Sequence, residues 1–226
     1  FYFGIKQAYA CLFGGVLLFF ILATSFVWQA DWPIARYDAL FAIAIFTQAA
    51  LLAFKLETWE EAKIIFIFHI VGTVMEIFKT HVGSWVYPEA NLFRIGGVPL
   101  FSGFMYAAVG SYIARVWRIF DFHFTHYPKK ELTALLAVAI YINFFSHHYL
   151  IDIRYGLFAF TALLFWRTRI YYKPNKTHYW MPLLLGFTLV AFFIWIAENI
   201  GTFTQTWSYP NQQSQWDLVS LHKRGS

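Results

Sequence analysis

Apolar residues in this chain come in long runs, without the strict alternation of a half-buried strand or the single apolar stripe of a surface helix. A helix needs roughly 20 such residues to cross the hydrocarbon core of a bilayer. Runs of that kind fall at about residues 8–29, 37–55, 61–79, 99–119, 131–150, 154–171 and 179–201, separated by short polar connectors. In lipid no backbone N–H or C=O can be left unpaired, so runs of this length predict helices. The pattern therefore predicts an all-α polytopic membrane protein of about seven transmembrane helices. It forms one transmembrane domain over residues 1–226, with a polar tail from 202 to 226. The sixth run is the shortest of the seven.

Composition agrees. Of 226 residues, 59% are hydrophobic, 23% aromatic and only 13% charged, too apolar for a soluble domain of ordinary make-up. The single cysteine, Cys11, excludes an intrachain disulfide and any cysteine-based metal site. A formal net charge of +5 does not point to nucleic acid, because the basic residues stand at the ends of the apolar runs instead of on one face. They are a topology signal. With seven crossings the N-terminal side carries Lys6, Lys55, Lys63, Arg115, Arg118, Lys129, Lys130, Arg167, Arg169, Lys173 and Lys176. The opposite side carries Arg36, Lys79, Arg94, Arg154, Lys223 and Arg224. The excess puts the N-terminus in the cytoplasm and the C-terminus outside.

One phrase occurs twice. Glu76, Thr80, Ser84, Trp85, Tyr87 and Pro88 recur at constant offset as Glu198, Thr202, Thr206, Trp207, Tyr209 and Pro210, a weak internal repeat. Each Glu closes an apolar run. The third and seventh crossings run in the same direction, so both phrases meet the outer face. An ionisable group inside a membrane is costly enough to mark a functional site, and a carboxyl in apolar surroundings can donate a proton near neutral pH. The competing reading is that Glu76 only fixes helix packing, and that Trp-x-Tyr-Pro anchors and stops a helix.

His69, Glu76 and Thr80 lie seven and four residues apart, on one face of a helix, and His81 follows. The fifth run ends Asn143, Ser146, His147, His148, Asp152, Arg154, where helical spacing puts His148 with Asp152. That is a base oriented by an acid, or else a polar helix end. By ligand type Glu76, His81, His147, His148, Asp152 and Glu198 would suit Zn or Fe, although no helical metal motif is present and no metal is assigned. Asp121, His123 and His126 precede Pro128-Lys129-Lys130; their spacing loosely suits a metal, but a short loop beside basic residues reads first as solvated surface or headgroup contact. Gly97, Ser102, Gly103, Ala107, Gly110 and Ser111 predict close approach by the fourth helix.

The stretch from Phe68 to Tyr112, with Glu76, Trp85, Tyr87, Gly97, Pro99 and Gly103, and Ser146-His147-His148 through Asp152 to Tyr155, resembles DUF817. That is a family of bacterial integral-membrane proteins catalogued as a domain of unknown function. The resemblance implies a bacterial cytoplasmic (inner) membrane location and no particular activity. A local similarity to carotenoid hydratase-type membrane enzymes rests on Glu76, Gly83, Tyr87, Gly97 and Pro99; Trp85 and the His147-His148 pair depart from it. Small seven-helix terpene cyclases are similar in size and plan only.

These features lead to an expected membrane-embedded, lipid-modifying enzyme that performs acid catalysis on a lipophilic, isoprenoid-like small molecule. Glu76 would protonate an alkene or epoxide, Glu198 would stabilise the developing cation or activate water, and His147, His148 and Asp152 would relay protons to the outer solvent. His69, Thr80, His81, Trp85, Tyr87, Thr202, Trp207 and Tyr209 would bind substrate. The alternatives are a transporter or ion-coupled channel using the Glu76/Glu198 pair, and a metal-dependent lipid hydrolase. Membrane lipid is the expected surrounding partner, nucleic acid is not one, and no protein partner is assigned.

Overall fold

A computed structural model of the chain describes residues 1–29, 31–212 and 215–219; Lys223, Arg224 and the rest of the polar tail's end lie outside the described residues. Among these, eight helices carry most of the chain: α1 (Tyr2–Ala10), α2 (Leu12–Val27), α3 (Arg36–Ala53), α4 (Trp59–His81), α5 (Phe101–Phe120), α6 (Lys130–Ser146), α7 (Arg154–Phe165) and α8 (Leu183–Phe203). The chain is mostly helical, as expected, and two small antiparallel sheets accompany the helices. Strands β1 (Arg94–Ile95) and β2 (Val98–Pro99) make a hairpin ahead of α5; β3 (His123–Thr125), β4 (Arg169–Tyr172) and β5 (Tyr179–Pro182) form a sheet in that order.

The boundaries shift for physical reasons. The run at 8–29 is broken at Cys11, and α1 and α2 meet at 68°. Tyr9 explains the break: its hydroxyl donates to the Leu56 carbonyl at 2.5 Å, and its ring lies 5.2 Å from the Arg115 guanidinium, which ties α1 down by its polar side. The run at 131–150 stops being helical at Ser146. The run at 154–171 gives only the 12 residues of α7 before Arg-Ile-Tyr-Tyr turns to strand and pairs with Tyr179–Pro182 across the Pro174-Asn175 loop. Aromatic and β-branched residues favour that pleated pairing, and α7, at roughly 18 Å, is shorter than the hydrocarbon core of about 30 Å. Pro182, at the end of β5, immediately precedes α8. By length and composition α3 and α8 can each cross a membrane, and the bent α1–α2 pair makes three if it is one span.

The chain divides into two compact units, one of Phe1–Ile119 with Ala197–Leu218, the other of Phe120–Ile196 with the chain from Val219. In the first, Phe13, Leu17 and Ile21 of α2, Tyr37 and Leu40 of α3, Ile65 of α4 and Phe101 of α5 are buried. So are Arg36, Glu57, Glu61, Glu76, Lys79 and Arg115. Phe19, Phe46, Phe66 and Ile67 are exposed. Charge inside and large apolar groups outside is a distribution compatible with a membrane protein.

Two glycines set the α4–α5 spacing. A Cβ on Gly72 would stand 2.6 Å from Tyr106 Cβ, and one on Gly103 would stand 2.6 Å from the His69 carbonyl oxygen. Small residues let two backbones come this close. In the second unit Leu136, Phe165, Ile170 and Leu183 make a core joining α6, α7, the start of α8 and the sheet.

Candidate functional site

Glu76 sits on the last turns of α4, 3% exposed. Its carboxylate is enclosed by donors. Trp85 Nε1 and the Tyr87 hydroxyl each donate to Oε2 at 2.7 Å, and the Tyr106 hydroxyl donates to Oε1 at 2.8 Å. Lys79, fully buried one turn on, adds its charge to the site. Trp85 and Tyr87 reach back because α4 ends in a tight reversal. The Gly83 N–H donates to the Thr80 carbonyl at 3.1 Å and the Ser84 N–H to the Lys79 carbonyl at 2.9 Å, with Gly83 at φ +74°. This is a Schellman cap, and the left-handed residue it requires is glycine. Tyr106 arrives from α5 across the gap that Gly72 leaves.

The second phrase repeats this local geometry. Gln205 N–H donates to Thr202 at 3.0 Å and Thr206 N–H to Gly201 at 2.9 Å, with Gln205 at φ +53°; the Tyr209 hydroxyl donates to Glu198 Oε1. Val86 and Ser208, which occupy corresponding positions, exchange two backbone hydrogen bonds of 3.0 Å as an isolated antiparallel bridge. The rings of Trp85 and Tyr209 meet edge to face at 6.1 Å. A continuous path therefore runs Glu76, Trp85, Tyr209, Glu198. Tyr106 and Tyr209 each feel the charge of both acids.

Burial first, then the charge and hydrogen bond of Glu198, push the Tyr209 hydroxyl well above the ordinary phenol range. Burial and the charge of Glu76 do the same for Tyr87. Both phenols therefore remain proton donors at physiological pH.

Arg36 and Tyr37, at the start of α3, hold the second phrase in place. Tyr37 donates to the Thr206 carbonyl at 2.8 Å and Arg36 to the Thr204 carbonyl at 3.3 Å, while Arg36 also pairs with Glu89 at 2.5 Å. Arg94 donates to the Glu89 carbonyl at 2.8 Å. Arg36 and Arg94 were read from the sequence only as outer-side topology signals, and Tyr37 and Glu89 carried no reading.

The remaining expected residues separate. His69 is half-buried on α4, 4.1 Å from the Phe104 ring, and its Nδ1 has no hydrogen-bond partner among the described residues. Thr80 is half-buried, with its hydroxyl in the same condition. His81 is exposed. Thr202 is buried, donating to the Asn199 carbonyl and accepting from Trp216 Nε1, both at 3.2 Å. Trp207 packs on Gly201, where an added Cβ would lie 1.9 Å from the indole.

His147, His148 and Asp152 belong to the second unit, and the expected helical pairing of His148 with Asp152 does not form, because α6 ends at Ser146. Asp152 instead accepts from Asn143 Nδ2 at 3.2 Å and pairs with Arg154; His147 Nδ1 lies 2.9 Å from the Asn143 carbonyl. Desolvation would raise the Asp152 carboxyl, but the Arg154 N–H, the Asn143 amide and the Arg154 guanidinium together outweigh it and hold it below the ordinary range.

A second buried polar cluster lies at the opposite end of α4. Glu57 and Arg115, both fully buried, pair at 2.8 Å; Gln48 donates to Glu57 at 2.5 Å and Ser111 at 3.4 Å. One turn away Glu61 pairs with Arg118 at 2.8 Å and closes the capping box of α4 with Thr58. Glu57-x3-Glu61 and Arg115-x2-Arg118 carried the signal, but they read as the charged ends of crossings.

A model of the family described as "Protein of unknown function (DUF817)" matches residues 1–226. A protein of Bacillus subtilis (strain 168), described as "Uncharacterized protein YoaT", is 45% identical over 225 residues, all of this chain and 84% of that protein. No solved structure matches.

Proposed function

The chain belongs to the DUF817 family, and we propose that it is a membrane-embedded proton-coupled carrier in which Glu76 and Glu198 bind and release protons. The observation that carries this reading is the pair of phrases meeting at Val86 and Ser208, each with an acid clasped by a tyrosine eleven residues on. Two like acids around a local twofold arrangement are the expected form of a coupling site in a protein built from repeated halves.

The donor set favours a carrier over the acid catalyst. Three groups aim their hydrogens at the Glu76 carboxylate, so a proton added there would turn charge-assisted hydrogen bonds into weaker neutral ones and add a donor that needs an acceptor of its own. Protonation would thus loosen the loop carrying Trp85 and Tyr87 from α4. That is a conformational consequence, which coupling requires and alkene protonation does not. Polar groups at both ends of α4, with His69, Thr73 and Ser102 between, supply the two-sided arrangement that a carrier needs.

We read the chain as seven crossings with an internal repeat, lying in the bacterial cytoplasmic membrane with the N-terminus inside. Each sheet pairing supports that count. Pairing of β3 with β4 and β5 groups the end of α5, the start of α6, the end of α7 and the start of α8. The Val86–Ser208 bridge groups the loop between α4 and α5 with the end of α8.

The test is proteoliposome acidification under an imposed membrane potential, read with an internal pH dye. The wild type should move protons, and Glu76→Gln and Glu198→Gln should each abolish movement while reconstituting to the same level. A silent wild type, or variants as active as wild type, overturns the reading.

A second reading, acid catalysis on an isoprenoid-like lipid, is favoured by the aromatic rings gathered around the site. Tyr37, Tyr87, Phe101, Trp85 and Tyr209 lie ring against ring, and it is the face of such a ring that attracts a cation. A polyprenoid co-purifying with the protein, identified by mass spectrometry of extracted lipid, would favour it.

A further inference from the structure

A different group of side chains lies in the second unit. Asp121 follows α5, His123 is the first residue of β3, and His178 immediately precedes β5. In the sequence, 55 positions separate His123 from His178. The sheet removes that separation: His123 pairs with Tyr171, and Tyr172 with Tyr179, so β4 carries the two histidines to the same edge of the loop region.

The Asp121 carboxylate lies between them. His123 Nε2 is 3.4 Å from Oδ1 and His178 Nε2 is 3.6 Å from Oδ2, and one ligand atom from each of the three residues lies within 4.8 Å of the others. Two ligands bound tetrahedrally to zinc at about 2.0–2.1 Å stand roughly 3.3–3.4 Å apart. The observed separations therefore approach those of a zinc coordination edge, and the residue types are those zinc takes.

The frame around the three residues is fixed. Phe120, next to Asp121, accepts from the Lys173 N–H at 2.7 Å, which closes the loop onto the end of β4. Asp121 itself sits at φ +51°, in the left-handed region that aspartate enters more readily than most residues. On the sheet beside them the Arg169 guanidinium covers the Trp180 ring at 4.3 Å.

We propose that Asp121, His123 and His178 form a binding site for a divalent transition metal of the zinc class. The ion would clasp the segment after α5 to the β4–β5 hairpin and leave one coordination position open to water. The proposal is independent of the Glu76/Glu198 reading.

It is tested on the full chain in detergent, stripped with a chelator and titrated with Zn²⁺ against a chromogenic competitor, with Co²⁺ absorption reporting the geometry. One ion per chain is expected, with a tetrahedral cobalt spectrum. His123→Ala, His178→Ala and Asp121→Asn should each weaken zinc binding by more than the roughly 10–100-fold that follows loss of an outer-shell partner. His126→Asn, on the same loop but outside the cluster, should bind as wild type does. These residues are exposed, so each variant should keep its fold, and an unchanged melting temperature in chelator confirms it. No zinc binding by the wild type, or equal affinity across all four variants, overturns the proposal.

Discussion

The two ends of α4 hold acids in opposite ways. Glu57 and Glu61, at its start, face arginines, and the fully buried Glu57 has a guanidinium at 2.8 Å. Glu76, about 22 Å along the helix, is surrounded chiefly by an indole and two phenols. A guanidinium keeps its charge at every accessible pH, so Arg115 always presents a cation to Glu57, although burial pushes the Glu57 carboxyl above its usual range. Neutral donors can rearrange when a carboxylate takes a proton, so under the proposed coupling the second end would have two states. On that reading the same residue type is a rivet at one end and a latch at the other.

Removing one partner at the Glu57 end should have the largest effect. Arg115→Ala leaves Glu57 buried and uncompensated, and should cost about 3–5 kcal/mol, read as a drop in melting temperature in detergent. Glu57→Leu with Arg115→Met should recover most of that loss, since a buried ion pair can be replaced by apolar groups of like volume. Failure of the double variant to recover would mean that Leu and Met do not fill the space of the ion pair. At the other end Glu76→Gln should cost about 2–3 kcal/mol, the scale of one or two hydrogen bonds to a charged group, yet lose all proton movement. If its stability loss exceeds that of Arg115→Ala, the contrast between rivet and latch fails.

Tyr106→Phe removes one of three donors and should cost about 1–2 kcal/mol, with the pH midpoint of proton uptake displaced. A midpoint identical to wild type would separate Tyr106 from the latch. Smaller again is the backbone of the two caps. Gly83→Ala, forced to φ +74°, should lose about 1–2 kcal/mol, and Gln205→Gly should gain up to about 1 kcal/mol.

The least effect belongs to pH at the periphery of the second unit. The Asp152 carboxyl is held below its ordinary value in the folded protein. Its contribution is therefore complete above the unfolded value, near 3.9, and is lost only as pH falls through the lower folded value. Asp152→Asn should flatten the acid side of the stability profile and leave neutral pH unchanged. The Tyr87 and Tyr209 hydroxyls are raised, so their contribution is complete below about 10, the ordinary phenol value, and is lost as pH rises beyond it.

How far sequence reached differs by residue. The Glu76 and Glu198 phrases were visible because an acid at the end of an apolar run is expensive and repetition marks it. The tyrosines at 87 and 209 came with them. Tyr106 was not visible: it lies 30 residues from Glu76 and reaches it only because Gly72 lets α5 come close. Arg36 and Tyr37 were hidden for the same reason, since their partners lie about 168 residues away. His148 and Asp152 were misjudged because spacing assumes a helix continues, and α6 stops at Ser146.

The sequence by itself determined the mostly helical, apolar character, the family and the repeated phrase that carries the two acids, because these follow from composition and local pattern, which each stretch carries without reference to the rest. Tertiary structure alone decided which donors close on Glu76, which arginine faces Glu57, and that Asp121, His123 and His178 converge. Hydrogen bonds and ligand distances are settled within a few tenths of an ångström, and only packed backbones fix positions that closely.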